Sequence, residues 1–531
     1  MSRNQQRLSD KGTWVLLGLF ILQFLLSFRP GNLAWDGVYY YAYARSIAID
    51  GDLRLENDLQ LAYDVTPAYD FAAAGFEDIR TPTGRVDSPF AVGTGLLWLP
   101  WFALIYGLAR LAAPFGIGPA TLTGFEWPFM WGMATVTAVY GWISILAGYR
   151  LARKWTDRRG ALFAAAVLMF VTPLWYYGFQ EPFYAHAASA MTVALFITTW
   201  WQAAQETDLS DHTALKLGAL GGLAALVRWQ NLVYMVLPLL TALWTGWRIW
   251  HVGDRQELCA SARYLLISMI SILVVFSPQM AVWTLFYNRP WVIPQGAGFL
   301  DLRIPWFRHV LLSPFHGLLP WMPVVIPAFA GLILLSRRRP RLAWPLMVAF
   351  LLQVLINSSV RDWFAGGGYG ARRFSNTLII LLIGYATLLD HRRPRWVRVG
   401  AVTLGGLLVL HQWLILRYGF AERIGGHVIE MAPTYTCSVD SFETFVRQLV
   451  NYLPRVLKSP IQSAILPDSP LFTGSTVLAV VRQLLLLAAV AGTLALLRWG
   501  GKHLNRLTPR HITIGAAALI LALDVWVLTC A

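Results

Sequence analysis

Long apolar runs, nearly free of charge, recur along the whole chain and are separated by short stretches rich in arginine or in carboxylates. Runs of this kind predict bilayer-spanning helices. Thirteen crossings are expected, at 13–28, 126–149, 160–178, 184–201, 214–229, 231–248, 262–286, 317–336, 342–358, 373–389, 398–417, 476–498 and 511–530. Several fall short of the ~20 residues a spanning helix needs, so they are expected to extend into flanking polar positions. The fold class is therefore an all-α polytopic membrane protein. A basic stretch (Arg3, Arg7, Lys11) precedes the first run, and Phe28-Arg29-Pro30 follows it in place of a small-residue cleavage site. That pattern predicts an uncleaved first transmembrane helix.

A further run, 91–109, passes a hydropathy test, and taken alone it reads as a fourteenth crossing. The charge pattern decides otherwise. If residues 1–12 are cytoplasmic and 91–109 does not cross, then Arg150, Arg153, Lys154, Arg158 and Arg159 lie inside. Arg337–Arg339 with Arg341, Arg392, Arg393, Arg395 and Arg398, and Arg498, Lys502, Arg506 and Arg510 join them there. Basic residues favour the cytoplasmic loops, so 91–109 is expected to lie in, or re-enter, the outer leaflet. The outer side then holds a long first loop (29–125), loops near 287–316 and 359–372, and a long loop at 418–475 with amphipathic stretches near 441–457.

Composition changes this picture little. Hydrophobic residues make up 56% of the 531 and charged residues 13%, about half the share usual in soluble proteins, which excludes a soluble multi-domain enzyme. The net charge of +15 follows the loop asymmetry and is a topology signal, so no nucleic-acid partner is expected. Cys259, Cys437 and Cys530 lie too far apart for a metal-binding spacing or a disulfide framework. The cytoplasmic loops are too short for a nucleotide-binding domain and no G-x-x-x-x-G-K-[ST] loop is present, which argues against an ATP-driven pump. Chemistry is thus expected on the outer face of a cytoplasmic (inner) membrane.

The first outer loop opens with Trp35-Asp36-Gly37-Val38-Tyr39-Tyr40-Tyr41-Ala42-Tyr43-Ala44-Arg45. Trp35, Val38, Tyr39 and Ala42 share one helical face, as in an interfacial helix with an aromatic underside. Asp36 at its start reads either as a helix cap or as a functional carboxylate. The acidic residues that follow, from Asp50 to Asp87, read mostly as solvated surface.

These features resemble the GT-C superfamily, polytopic glycosyltransferases that use polyprenyl-phosphate-linked sugars, and within it the protein mannosyltransferase and lipid A aminoarabinose transferase group. The resemblance runs in order from about residue 12 to 390. It rests on Asp36 in Trp-Asp-Gly-x-Tyr-Tyr, on Asp50-Gly-Asp-Leu with Glu56-Asn57-Asp58, and on the segment from Ser88-Pro89-Phe90 to Pro100. Further matches are Gln180-Glu181-Pro182-Phe183-Tyr184-Ala185-His186, Arg228-Trp229-Gln230-Asn231 and Gly366-Gly367-Gly368-Tyr369-Gly370-Ala371-Arg372-Arg373. Members of the group often carry a basic residue just before the proline of the second segment; here Asp87-Ser88 precede Pro89, with Arg85 nearby. The resemblance divides the chain into a catalytic module, 1–390, and C-terminal helices, 391–531.

What it implies is transfer of a sugar from a polyprenyl-phosphate donor to a glycan, lipid or protein acceptor. Asp36 stands where the group has its catalytic acidic residue and would act as general base. The leaving phosphate needs positive charge. Arg228, Arg372 and Arg373 suit it because the guanidinium fork donates in pairs, although each also reads as an interface-anchoring arginine. Glu181 and His186 could position the acceptor or share proton transfer. Tyr40, His316 and Asp362 complete the outer-face candidates. A divalent cation, Mg²⁺ or Mn²⁺, would suit the carboxylates, but no spacing specifies a site. A flippase or transporter is the alternative, supported only by the intramembrane charges Arg482 and Asp524, since no internal repeat is evident. A third possibility is a membrane subunit whose outer loops bind a partner.

Overall fold

The computed structural model describes residues 10–414 apart from 30–32, 34, 66–78, 117–121, 206–209, 253–254, 297, 303–305, 313–315 and 367. The last two expected crossings, the 418–475 loop with Cys437, and Arg482 and Asp524 lie outside the described residues. Those described form helices, with two isolated bridges, Arg80 to Val86 and Leu300 to Val360.

The chain begins with α1 (Lys11–Ser27), capped by Asp10, whose carboxylate accepts from the Gly12 amide at 3.1 Å. Two helices of the first outer loop follow, α2 (Asp36–Arg45) and α3 (Glu56–Val65), and then α4 (Gly93–Ala112). The bundle continues with α5 (Trp127–Ala152), α6 (Arg158–Phe170), α7 (Leu174–Phe179), α8 (His186–Ala203), α9 (Asp211–Val227), α10 (Val236–Val252) and α11 (Arg255–Tyr287). It ends with α12 (Phe307–Leu312), α13 (Leu318–Trp321), α14 (Val325–Ser336), α15 (Pro340–Ser358), α16 (Leu378–Leu388) and α17 (Arg395–Leu414). Among the described residues, four helical stretches are long and apolar enough to cross a membrane, Gly93–Phe115, Trp127–Ala152, Gln256–Tyr287 and Pro340–Ser358.

Most expected crossings appear as helices, but two are broken. The run 160–178 divides into α6 and α7 where Pro173 follows Thr172, and 317–336 divides into α13 and α14 at Pro323. Proline lacks the amide and disfavours helical geometry in the residue before it. Both breaks let short segments turn back toward the outer loops.

Small residues set the closest helix crossings. A Cβ on Gly331 of α14 would meet the Gly384 carbonyl oxygen of α16 at 1.8 Å, and one on Gly384 would meet that of Ala328 at 2.1 Å. Gly218 and Gly222 of α9 play the same part against Ser268 and Ile272 of α11. Such contacts let backbones approach where lipid removes the usual hydrophobic drive. Helix α16, apolar all round, is buried along its whole length.

The direction of α4 follows from its neighbours. Helix α1 starts beside the end of α5, where Tyr149 and Arg153 reach Asp10 at 2.8 and 2.6 Å. It ends beside α7, where the Arg29 amide donates to the Phe179 carbonyl. The start of α5 therefore lies at the same end of the bundle as residue 29. Helix α4 leaves from Gly93, packed on the Leu226 carbonyl at the end of α9. Trp98 then donates to Thr137 at 3.1 Å, and Phe102 packs on Phe129, two residues into α5. Helix α4 thus runs antiparallel to α5. It is also long and apolar enough to cross a membrane, and the expectation that 91–109 lies in or re-enters the outer leaflet rests on the charge pattern of the loops.

Candidate functional site

Helix α2 departs from the expected interfacial helix. Val38 to Arg45 are all buried, while Trp35 is 55% exposed. The helix is wedged between α4 and the 180–186 turn. A Cβ on Gly37 would meet the Phe183 side chain at 2.9 Å, and one on Gly95 would meet that of Tyr43 at 2.7 Å. Asp36 does not cap it. The cap position is Trp35, with φ 51°, and no side chain bonds the free amides. Asp36 instead reaches Arg372 at 3.2 Å.

Arg372 stands at the start of the short 3₁₀ turn Arg372–Thr377 that leads into α16. Its Nε donates to the Ala365 carbonyl at 3.0 Å and its guanidinium lies 5.2 Å from the Tyr184 ring centre. Ala365 itself has φ 61°. Residues other than glycine held in this region cost of order 1–3 kcal/mol and tend to gather where function requires them. Of the three such described residues, Trp35 and Ala365 flank the Asp36–Arg372 pair. Burial opposes the Arg372 charge, but Asp36 and the Tyr177, Tyr184 and Tyr40 hydroxyls around it hold the guanidinium firmly protonated.

Glu181 belongs to the same cluster. Tyr176 donates to its Oε1 at 2.9 Å. Burial pushes its carboxyl above the usual range; the Tyr176 bond and Arg372 act the other way, and Asp36 adds to the rise. His186, the first residue of α8, is buried and its Nδ1 faces Arg228 Nη1 at 2.9 Å. A guanidinium only donates, so Nδ1 accepts and the imidazole carries its proton on Nε2. His186 is also hydrogen-bonded by the Arg372 backbone. One histidine thereby links the two arginines. Tyr40 is buried on α2, and its hydroxyl is raised well above the ordinary phenol range by burial, with Arg228 acting against it and Asp36 adding to it.

The remaining candidates lie at the margin. Arg373 turns to Asp362 at 2.6 Å, where Asp362 is 41% exposed. His316 bonds the Phe364 carbonyl at 2.6 Å on the far side of the loop that carries Arg372. A small cavity is bounded by His316, Trp363, Gly370, Arg372 and Arg373.

Two residues quoted only within sequence motifs turn out to hold elements together. Asn231 donates to Ser189 and Ala224 at 2.9 and 2.8 Å and accepts from Asn376 at 2.7 Å, which locks α8, α9 and the 3₁₀ turn before α16 together. Asp58, expected among the solvated acidic residues, is fully buried. Arg45 reaches it at 2.5 Å, Asp50 at 2.7 Å and the Thr123 carbonyl at 2.6 Å. This cluster anchors the end of α2 to α3 and to the approach of α5. An uncompensated buried charge is costly, so a fully buried Asp58 requires Arg45.

Of the carboxylates in the cluster, Asp36 pairs with Arg372 through one oxygen and Glu181 accepts from Tyr176 through one oxygen. Among the described residues the one group of three ligand side chains is Asp157, Asp390 and His391, at the other end of α16.

Comparison with known proteins agrees with this architecture. Residues 121–283 match the family model described as dolichyl-phosphate-mannose-protein mannosyltransferase, a stretch that includes Glu181, His186 and Arg228. The structure of ArnT from Cupriavidus metallidurans bound to undecaprenyl phosphate aligns over 98% of this chain and 77% of that one, with a TM-score of 0.50 and 15% identity. This chain has the GT-C membrane fold. A weaker likeness joins it to the archaeal oligosaccharyltransferase AglB from Archaeoglobus fulgidus in complex with an inhibitory peptide and a dolichol-phosphate. That match covers 87% of this chain and 60% of that one, at 14% identity and a TM-score of 0.44. No curated protein matches the chain. In the GT-C fold the described helices run in the order the sequence resemblance implied, and the candidate residues from α2, the 180–186 turn, the end of α9 and the start of α16 meet at one end of the bundle.

Proposed function

We propose that the protein is a membrane glycosyltransferase that moves a sugar from a polyprenyl-phosphate donor to an acceptor at the outer face of the cytoplasmic membrane, with Asp36 as general base. The observation that carries this reading is the Asp36–Arg372 contact at 3.2 Å. It joins a carboxylate and a guanidinium from distant parts of the sequence, where the reaction needs a proton acceptor beside a phosphate-binding cation.

The acceptor oxygen attacks the anomeric carbon while Asp36 takes its proton. The bond from that carbon to the phosphate oxygen breaks, and the electron pair stays on the polyprenyl phosphate. Arg372 meets the growing charge, with Arg228 behind it and Arg373 at the rim. Because one guanidinium serves both partners, the phosphate draws on Arg372 as Asp36 becomes neutral. A single displacement of this kind inverts the anomeric centre. Glu181, which already accepts from Tyr176 through one oxygen, can accept a hydrogen bond from a sugar or acceptor hydroxyl through the other. The matched family, named for a lipid-phosphate sugar, and ArnT, whose structure holds undecaprenyl phosphate, support this donor class.

The test is release of free polyprenyl phosphate by purified protein given a panel of polyprenyl-phosphate sugars and a membrane extract as acceptor source. Turnover by the wild type and its loss in a folded Asp36→Asn variant is the expected result. Equal turnover in both would remove Asp36 from the mechanism.

A further inference from the structure

The end of α16 opposite the candidate site carries a feature that the transfer reaction does not use. The loop from α14 to α15 and the loop from α16 to α17 lie side by side, since α14 packs along α16 through Gly331 and Gly384. Within 337–341 and 390–398 stand eight arginines and one carboxylate, Asp390. Asp390 is buried, and Arg338 approaches it only to 3.9 Å. His391 bonds the same carboxylate at 3.2 Å, so it is already shared. Arg337, Arg339 and Arg392 are exposed, and of these Arg392 reaches Asp390 through its backbone amide at 3.2 Å. Arg393 is half-buried beside them, its Nε donating to the Thr387 carbonyl at 3.3 Å. Burial lowers the Arg393 guanidinium and Arg338 and Arg337 lower it further, while Asp390 acts the other way.

A bias of basic residues toward one membrane side requires only that the charges lie there. It does not require them to converge until they oppose one another. Asp157 also stands here, accepting from the His391 amide at 3.0 Å, so two carboxylates face eight arginines, and an anion would relieve the remaining excess. The surroundings say which anion. Trp244, Trp344 and Trp396 are exposed at 57%, 58% and 52%. Trp344 and Trp396 lie on α15 and α17 next to the arginines in sequence, and Arg341 lies over the Trp244 ring at 6.0 Å. Exposed tryptophan marks the level where lipid headgroups meet the hydrocarbon, and basic pockets between helices at that level suit anionic headgroups.

We infer that Arg337, Arg338 and Arg393, with Arg392 beside them, form a site for the phosphodiester headgroup of an anionic phospholipid in the leaflet facing away from the candidate active site. The lipid would bridge the α14–α15 and α16–α17 loops and so brace the end of α16 whose other end holds Arg372.

The experiment uses the full chain in nanodiscs of neutral phosphatidylcholine doped with phosphatidylglycerol or cardiolipin. Retained lipid is counted by native mass spectrometry and thermal stability is followed in parallel. Wild type is compared with the triple variant Arg337→Gln/Arg338→Gln/Arg393→Gln and with Lys154→Gln/Arg158→Gln/Arg159→Gln, which removes equal charge from the neighbouring loop. The first triple should weaken anionic-lipid retention at least about tenfold. The second should leave retention nearly unchanged, and Arg→Lys replacements at the first three positions should restore most of it. Equal loss in both triples would show a diffuse charge effect and overturn the site, as would retention in the first. If inorganic phosphate in the neutral nanodisc stabilised the wild type as well as the lipid does, a soluble phosphate would replace the lipid as ligand. Should the first triple fail to fold, Arg393→Gln alone decides: unchanged lipid retention overturns the assignment, and a severalfold loss supports it.

Discussion

Asp36 is the residue on which the two readings of the first outer loop diverged. As a helix cap its replacement by asparagine would be nearly silent, because asparagine caps as well as aspartate. As the partner of Arg372 and proton acceptor, Asp36→Asn should remove transfer almost completely and leave the folded protein intact. Turnover and a size-exclusion profile together distinguish the two. Arg372→Lys tests the other half of the pair. Lysine keeps the charge but loses the planar fork and the hold on the Ala365 carbonyl. Turnover should fall by roughly a hundredfold, the scale of losing one donor to a developing anion, with a raised KM for the lipid donor. Glu181 gives a pH signature that needs no substrate. Its carboxyl in the folded protein is raised above the ordinary glutamate value of about 4.5. Below that value both folded and unfolded chains hold the proton. As pH rises the unfolded chain releases it first, so the wild type loses stability until the folded carboxyl also ionises. Glu181→Gln lacks this loss. Its melting temperature relative to wild type should rise with pH above about 4.5 and then level off; a flat difference would show that the carboxyl is not raised. The sequence offered Asp36, Glu181 and Arg372 because their types and order resemble a known arrangement. It offered no sign of Tyr176 or Asn376, whose value depends on which side chains they face across the bundle.

Among the elements, those marked by strong apolar runs were legible and those defined by packing were not. The runs at 126–149, 184–201 and 342–358 appear as α5, α8 and α15 with ends shifted by a few residues. For 91–109 the arginines of later loops predict a course that does not cross, because sidedness is a property of the whole pattern, while its length and apolar character also fit a span. The burial of α2 was not. Its alternating tyrosines look interfacial, and only the approach of α4 and the 180–186 turn through Gly95 and Gly37 encloses them. The same holds for Gly331 and Gly384, which in sequence are two unremarked glycines in apolar runs. In the structure they are the points where α14 and α16 touch. Alanine is the better helix former by about 1 kcal/mol, so Gly331→Ala would stabilise an isolated helix. Here the added Cβ would stand 1.8 Å from a backbone oxygen, which no rotamer change relieves. The variant should lose about 2 kcal/mol or more, read as a lowered melting temperature in detergent. A stability equal to wild type would mean that the two helices separate without cost.

At the scale of the molecule, α16 connects two different environments. At one end stand Arg372 and the Asp36 cluster, at the other Asp390 and the arginine-rich loops. The proposed reaction requires these ends to face different compartments, because a polyprenyl-phosphate sugar and its acceptor must meet on one side only. The helix α4 is the element on which this depends. If it crossed the bilayer, the order of every later loop would reverse, and the acidic first loop would share a side with Arg337–Arg341. Cysteines placed in a chain whose native cysteines are replaced by serine read the arrangement directly. Gln60→Cys on exposed α3 should react with a membrane-impermeant maleimide in intact cells, and Arg339→Cys only after the membrane is opened. Labelling of both in intact cells would place the two loops on one side, contradict the expected course of α4, and leave the basic end of α16 facing the same leaflet as the site. The opposite labelling pattern, Arg339→Cys from outside and Gln60→Cys only after opening, would keep the architecture but turn it over, moving the candidate site to the cytoplasmic face. Only the expected pattern places Asp36 where a lipid donor and an extracytoplasmic acceptor can both reach it.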